Sequence, residues 1–151
     1  MAVPKSQREK TPLTVLIEAN MLVCYTIKLC TDETKFPKRY RWCLTQEIVQ
    51  NAVNMKANVA RANSVYVSDR ESAILRRTYQ QNALADLAAL AALMDTAFNL
   101  FDGLRHLDKE DRPKKRVNIA NWAAQLDKVK SLLLAWKKAD TEKEKKLGII
   151  G

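Results

Sequence analysis

Only three glycines occur in 151 residues, Gly103, Gly148 and Gly151. Tight β-hairpins, dinucleotide-binding turns and phosphate-binding loops all need glycine, either for positive φ or to let a phosphate approach the backbone. The chain therefore lacks the means to build the common sheet-based and nucleotide-cradling folds. At 47% hydrophobic and 28% charged residues it also lies outside the composition of disordered chains. One all-α domain is the expectation that remains.

Cysteine and histidine narrow the chemistry. Cys24, Cys30 and Cys43 contain no C-x-x-C pair, and His106 is the sole histidine, outside any Glu-x-x-His context. Neither zinc-ligand spacing nor a disulfide framework results, so the three thiols are expected to be buried and reduced. No cofactor, metal or catalytic residue is expected, and the chain is read as a non-enzyme. The apolar stretch from Leu13 to Cys30 is interrupted by Glu18, Asn20 and Lys28. It is read as too polar for a membrane span and as a core-facing helix, without a membrane partner and with a cytoplasmic location.

Prolines and caps divide the chain. Thr11-Pro12 has the form of an N-cap and first helical residue, opening a helix to about Thr31. Phe36-Pro37 leads into a second helix ending near Asn63. Ser68-Asp69-Arg70-Glu71 resembles a capping box and opens a third helix that could continue to His106. A charged turn, 109–116, contains Pro113, and a fourth helix follows to about Lys138. The expected organisation is a flexible basic N-terminus over 1–10, the helices over 11–138 and a charged flexible tail over 139–151.

Apolar spacing supports four packed helices. Ile48, Ala52, Met55, Val59, Ala62 and Tyr66 alternate steps of four and three, as do Trp122, Leu126, Val129, Leu133 and Trp136. Such stripes form the seams of an antiparallel up-and-down four-helix bundle. The third helix departs from the pattern: from Ala83 to Met94 its only polar side chain is Asp86. A helix apolar nearly all round needs cover on a second side, so Leu84, Leu87, Ala88, Ala91 and Ala92 are the expected subunit interface of a homo-oligomer.

The net charge of +9 is segregated. Residues 35–77 hold nine bases against three acids and 112–138 hold eight against one, whereas 78–111 hold two bases against six acids. In an up-and-down bundle the starts of the second and fourth helices share one end, so clusters 35–41 and 112–116 are expected to meet there. Phosphate-rich partners suit that arrangement, because neutralised phosphates release counterions and arginine binds them with a two-pronged fork. Charge clustering nominates Lys35, Lys38, Arg39, Arg41, Lys56, Arg61, Arg76, Arg77, Arg112, Lys114, Lys115, Arg116, Lys130 and Lys137 for binding nucleic acid or another acidic partner. Phe36, Tyr40 and Trp42 interleave with the first cluster and could stack on unpaired bases, or Phe36 and Trp42 could close the end of the core.

Lys35-Phe36-Pro37-Lys38, then Leu44, Gln46, Ile48, Ala52 and Asn58-Val59-Ala60, resembles the signature of the Avd-like four-helix bundle proteins. That group comprises the accessory variability determinants of diversity-generating retroelements and the large-subunit rRNA intervening-sequence proteins. Leu132-Leu133-Leu134-Ala135-Trp136-Lys137-Lys138 is similar to the ending of the last Avd helix. The resemblance implies a basic, non-enzymatic, ring-like homopentamer that binds a reverse transcriptase and RNA or RNA/DNA hybrid during mutagenic copying. Within it Lys38 matches the basic motif position and Pro37 the start of a helix. Ala60-Arg61-Ala62-Asn63 stands where the rRNA branch has an acid and a glycine, which favours the retroelement branch. Two alternatives stand beside this reading: a bundle binding structured RNA without a polymerase, and an oligomeric scaffold for an acidic protein.

Overall fold

The computed structural model describes residues 5–103, 113 and 115–149, with side-chain surroundings over 12–101, 113 and 115–149. Four helices dominate it: α1 (Lys5–Cys30), α2 (Gln46–Ser64), α3 (Arg70–Phe98) and α4 (Ile119–Lys146). Each packs on its sequence neighbours, and α4 returns to α1, which closes a four-helix bundle.

Cross-helix pairs fix the directions. Trp122 and Asn121 at the start of α4 reach Thr26 and Tyr25 near the end of α1, while Gln125 and Lys128 reach Glu18. Between α3 and α4, Arg76 meets Asp140 and Lys137 meets Gln81. In both pairs, rising numbers on one helix meet falling numbers on the other, so neighbours run antiparallel.

The core follows the apolar stripes. Ile48, Ala52, Met55, Val59 and Ala62 on α2 are fully buried, as are Trp122, Val129 and Leu133 on α4, with Leu126 and Trp136 nearly so. Tyr66 does not continue its stripe: it lies beyond the end of α2 and is 86% exposed. Alternating steps of three and four keep side chains on one helix face only while the backbone stays helical.

Helix ends depart from expectation in instructive ways. α1 begins at Lys5 rather than Thr11, placing residues 5–10 in helix and Pro12 inside it. α3 is capped one residue later than the Ser68 reading, because Asp69 Oδ1 accepts from the Ser72 N–H at 2.8 Å and Ser72 Oγ accepts from the Asp69 N–H at 3.1 Å. α3 ends at Phe98 and passes into a π-helical turn, Asn99–Gly103; His106 lies outside the described residues. Asn118 caps α4 by accepting from the Asn121 N–H at 3.0 Å.

The expected tail is the largest difference. Residues 139–146 continue α4, and Glu144 is buried. Asp140 and Glu144 stand one turn apart and face Arg76 and Arg77 of α3, at 2.9 and 2.6 Å. Gln80 Nε2 donates to Asp140 at 2.8 Å, and the Arg76 guanidinium sits 4.9 Å from the centre of the Trp136 ring. Desolvation pushes both carboxyls above their usual range, against the pull of the arginines.

Two stretches, Pro12–Cys30 and Arg70–Phe101, are long and apolar enough by length and composition to cross a membrane. The sequence reading held that Glu18, Asn20 and Lys28 make the first too polar to span; by length and composition it is not, and here both supply faces to the bundle core. The thiols also divide: Cys30 is buried, but Cys24 and Cys43 are exposed.

Candidate functional site

Between α1 and α2 the chain makes no simple corner. After a turn closed by the Phe36 N–H on the Asp32 carbonyl at 2.9 Å, it forms a 3-10 turn, Lys38–Tyr40, and a π-helical turn, Arg41–Thr45. Asp32 organises the corner by accepting from the Thr34 hydroxyl and N–H. Those bonds, with Lys35 and Lys115 nearby, hold its carboxyl below the usual range.

Lys115 of the second basic cluster lies beside the first here. The Lys115 N–H donates to the Thr34 carbonyl at 2.9 Å, tying the approach to α4 against the α1–α2 corner. Beneath the corner an aromatic group closes the core. Phe36 packs edge-on against Phe101 and Trp122, at 5.6 and 6.0 Å between ring centres, and Tyr40 against Phe101 at 5.2 Å. The Trp122 indole N–H donates to Thr26 Oγ1 at 3.0 Å, satisfying two buried polar groups at once. Phe36 is thus a core residue and Tyr40 half-buried against it, whereas Trp42 is 78% exposed.

The fourteen nominated basic residues do not form one surface. Lys35, Lys38, Arg39, Arg41, Lys115 and Arg116 gather at the corner; Arg112 and Lys114 lie outside the described residues. Arg41 has a loose contact with Glu33, 3.6 Å, with both side chains largely in solvent. Lys56 and Arg61 lie farther along α2, Lys56 donating to Asn20 at 2.6 Å and Arg61 to Asn58 at 3.2 Å. Lys130 is exposed on α4. Arg76, Arg77 and Lys137 belong to the opposite end, where Asp140, Glu144 and Gln81 engage them.

Comparison with protein-family models, curated proteins and solved structures finds no match. The functional reading consequently rests on the residues themselves and on the resemblance they carry.

Of the nominated interface residues, Leu87 lies in the core and Leu84 is half-buried against it, leaving Ala88, Ala91 and Ala92 exposed. Helical geometry turns Leu87 inward with Ala83, Leu90 and Met94, which a run apolar on every side could not indicate in advance. Sequence reasoning also missed an apolar row on α1. Leu13, Ile17 and Met21, spaced by four, are about half exposed. Their i, i+4, i+8 spacing was the available signal, hidden because the core-facing side of α1 is equally apolar. Among the described residues no group of three His, Cys, Asp or Glu side chains is placed to hold a metal ion.

Proposed function

We propose that this protein is a non-enzymatic, cytoplasmic accessory factor of a diversity-generating retroelement. In this reading it is a homo-oligomer, pentameric as the Avd-like resemblance implies, that binds the reverse transcriptase and template RNA or RNA/DNA hybrid through its basic corner. The observation that carries the reading is the junction of the two cationic segments, with the Lys115 N–H on the Thr34 carbonyl. Six cations then flank one end of a bundle, whereas Arg76 and Arg77 at the far end are engaged by carboxylates. A polyanion gains more from clustered cations than from the same number dispersed. The resemblance over residues 35–60 supplies the polymerase partner, and the exposed apolar row on α1 and small-residue face on α3 favour self-association.

Salt dependence and charge reversal test the binding claim. Neutralising about four phosphates of a single-stranded RNA gives an affinity loss of roughly 50-fold between 50 and 200 mM salt. The double variant Lys38→Glu, Lys115→Glu should weaken binding at least about tenfold while melting near the wild-type temperature; unchanged affinity would overturn the basic-corner assignment. Sedimentation of a monomer at micromolar concentration would remove the ring. A neighbouring reverse-transcriptase gene with paired template and variable repeats separates the retroelement reading from structured-RNA binding alone.

A further inference from the structure

The corner also encloses space that charge clustering does not use. A cavity of about 400 Å³ opens beside the π-helical turn, between the end of α1 and the first turns of α2. That lies within the range of small-ligand pockets, about 300–1,000 Å³. Phe36, Pro37 and Val49 give it apolar walls, and Lys38, Arg41 and Trp42 line it as well. Trp42 is left 78% exposed there, although its neighbour in the sequence pattern, Phe36, is buried.

An independent observation comes from Thr45. This residue lines the same cavity and is only 9% exposed, yet its Oγ1 has no hydrogen-bond partner. Buried hydroxyls are ordinarily paired, so this one, shut from solvent and unbonded, gains a partner if its side chain turns toward the cavity. An aromatic platform, apolar walls, an unbonded hydroxyl and, at the margin, two cations beside the single carboxylate of Glu33 suit a planar heterocycle attached to a polyanion. A peptide side chain would use the tryptophan and the walls but leave the hydroxyl and the cations idle.

We propose that this cavity receives one unpaired nucleobase of a bound single strand. The base stacks on Trp42, its edge engages the Thr45 hydroxyl once that side chain turns toward the cavity, and Lys38 and Arg41 hold the flanking phosphates, Arg41 exchanging its loose contact with Glu33 for phosphate. The inference rests on the nucleic-acid reading and adds to it a preference for single-stranded over duplex RNA.

Fluorescence anisotropy with a labelled 12-nucleotide single-stranded RNA, the matching duplex and an oligonucleotide with abasic sites tests it. Stacking of one base is worth roughly 5- to 150-fold in affinity, so Trp42→Ala should lose about that for the single strand and stay within about twofold for the duplex. Thr45→Val should lose about two- to tenfold, the range of one hydrogen bond. Abasic RNA should bind the wild type and Trp42→Ala alike. If Trp42→Ala keeps full single-strand affinity while Lys38→Glu, Lys115→Glu loses it, the cavity assignment fails and the nucleic-acid reading survives. Wild-type protein that binds none of these RNAs at low salt overturns both. Unchanged RNA affinity together with quenching of Trp42 by an aromatic peptide would make the cavity a protein-docking site, which also overturns the proposal.

Discussion

Cys30 ends α1 in the core, and burial pushes its thiol up to about 12. Thiolate is the reactive form, so at pH 8 this sulfur is both shielded and un-ionised. Native alkylation followed by intact mass measurement should add two labels, at Cys24 and Cys43, and a third only after unfolding; three labels on folded protein would refute the placement. The division was not legible in the sequence. Residue type alone favours burial for every cysteine, and only the direction of each side chain on α1 and in the π-helical turn separates them. Trp42 shows the same limit. The sequence allowed either stacking or core closure for both Phe36 and Trp42, and tertiary packing sent Phe36 inward and left Trp42 outside.

Elements were more readable than residues wherever one physical signal acted alone. Apart from Tyr66, the α2 and α4 stripes located the core to the residue because burial against neighbours is what their period reports. Ends proved harder, because competing caps overlap by a position. Asp69 takes the cap with its lowered carboxyl, held down by the Ser72 hydroxyl and N–H. A group with a depressed folded-state value stabilises above its ordinary range and loses that contribution as pH falls through the folded value. Asp69→Ala should therefore melt below wild type at pH 7, with the gap closing in acid below the usual aspartate range; a pH-independent gap would contradict the cap.

The last turns of α4 were illegible for another reason. Alternating acids and bases suggest a solvated tail until the register sets Asp140 and Glu144 against Arg76 and Arg77. Arg76 and Asp140 are only 18% and 17% exposed. Removing one partner strands a desolvated charge, so Asp140→Ala should cost roughly 3 kcal/mol. Thermal melting should register it as a fall of about 9 °C.

At the scale of the whole molecule, the all-α bundle was legible from scarce glycine and two apolar stripes, while assembly and partner remain proposals with their own tests. The Lys115–Thr34 hydrogen bond has one further consequence. It joins segments far apart in sequence, so the unfolded chain carries the same formal charge but not the same concentration of it in space. A ligand held across both segments must discriminate folded from unfolded chain and so acts as a stabiliser. RNA at 100 times its dissociation constant should add about 2.7 kcal/mol, a rise of about 8 °C in the melting temperature. Binding without any such rise would mean that the strand recognises local charge alone. With it, occupancy becomes a report on folding: a chain that has not brought its two distant loops together offers the nucleic acid only dispersed charge, and under the proposed function it would be recruited only once folded.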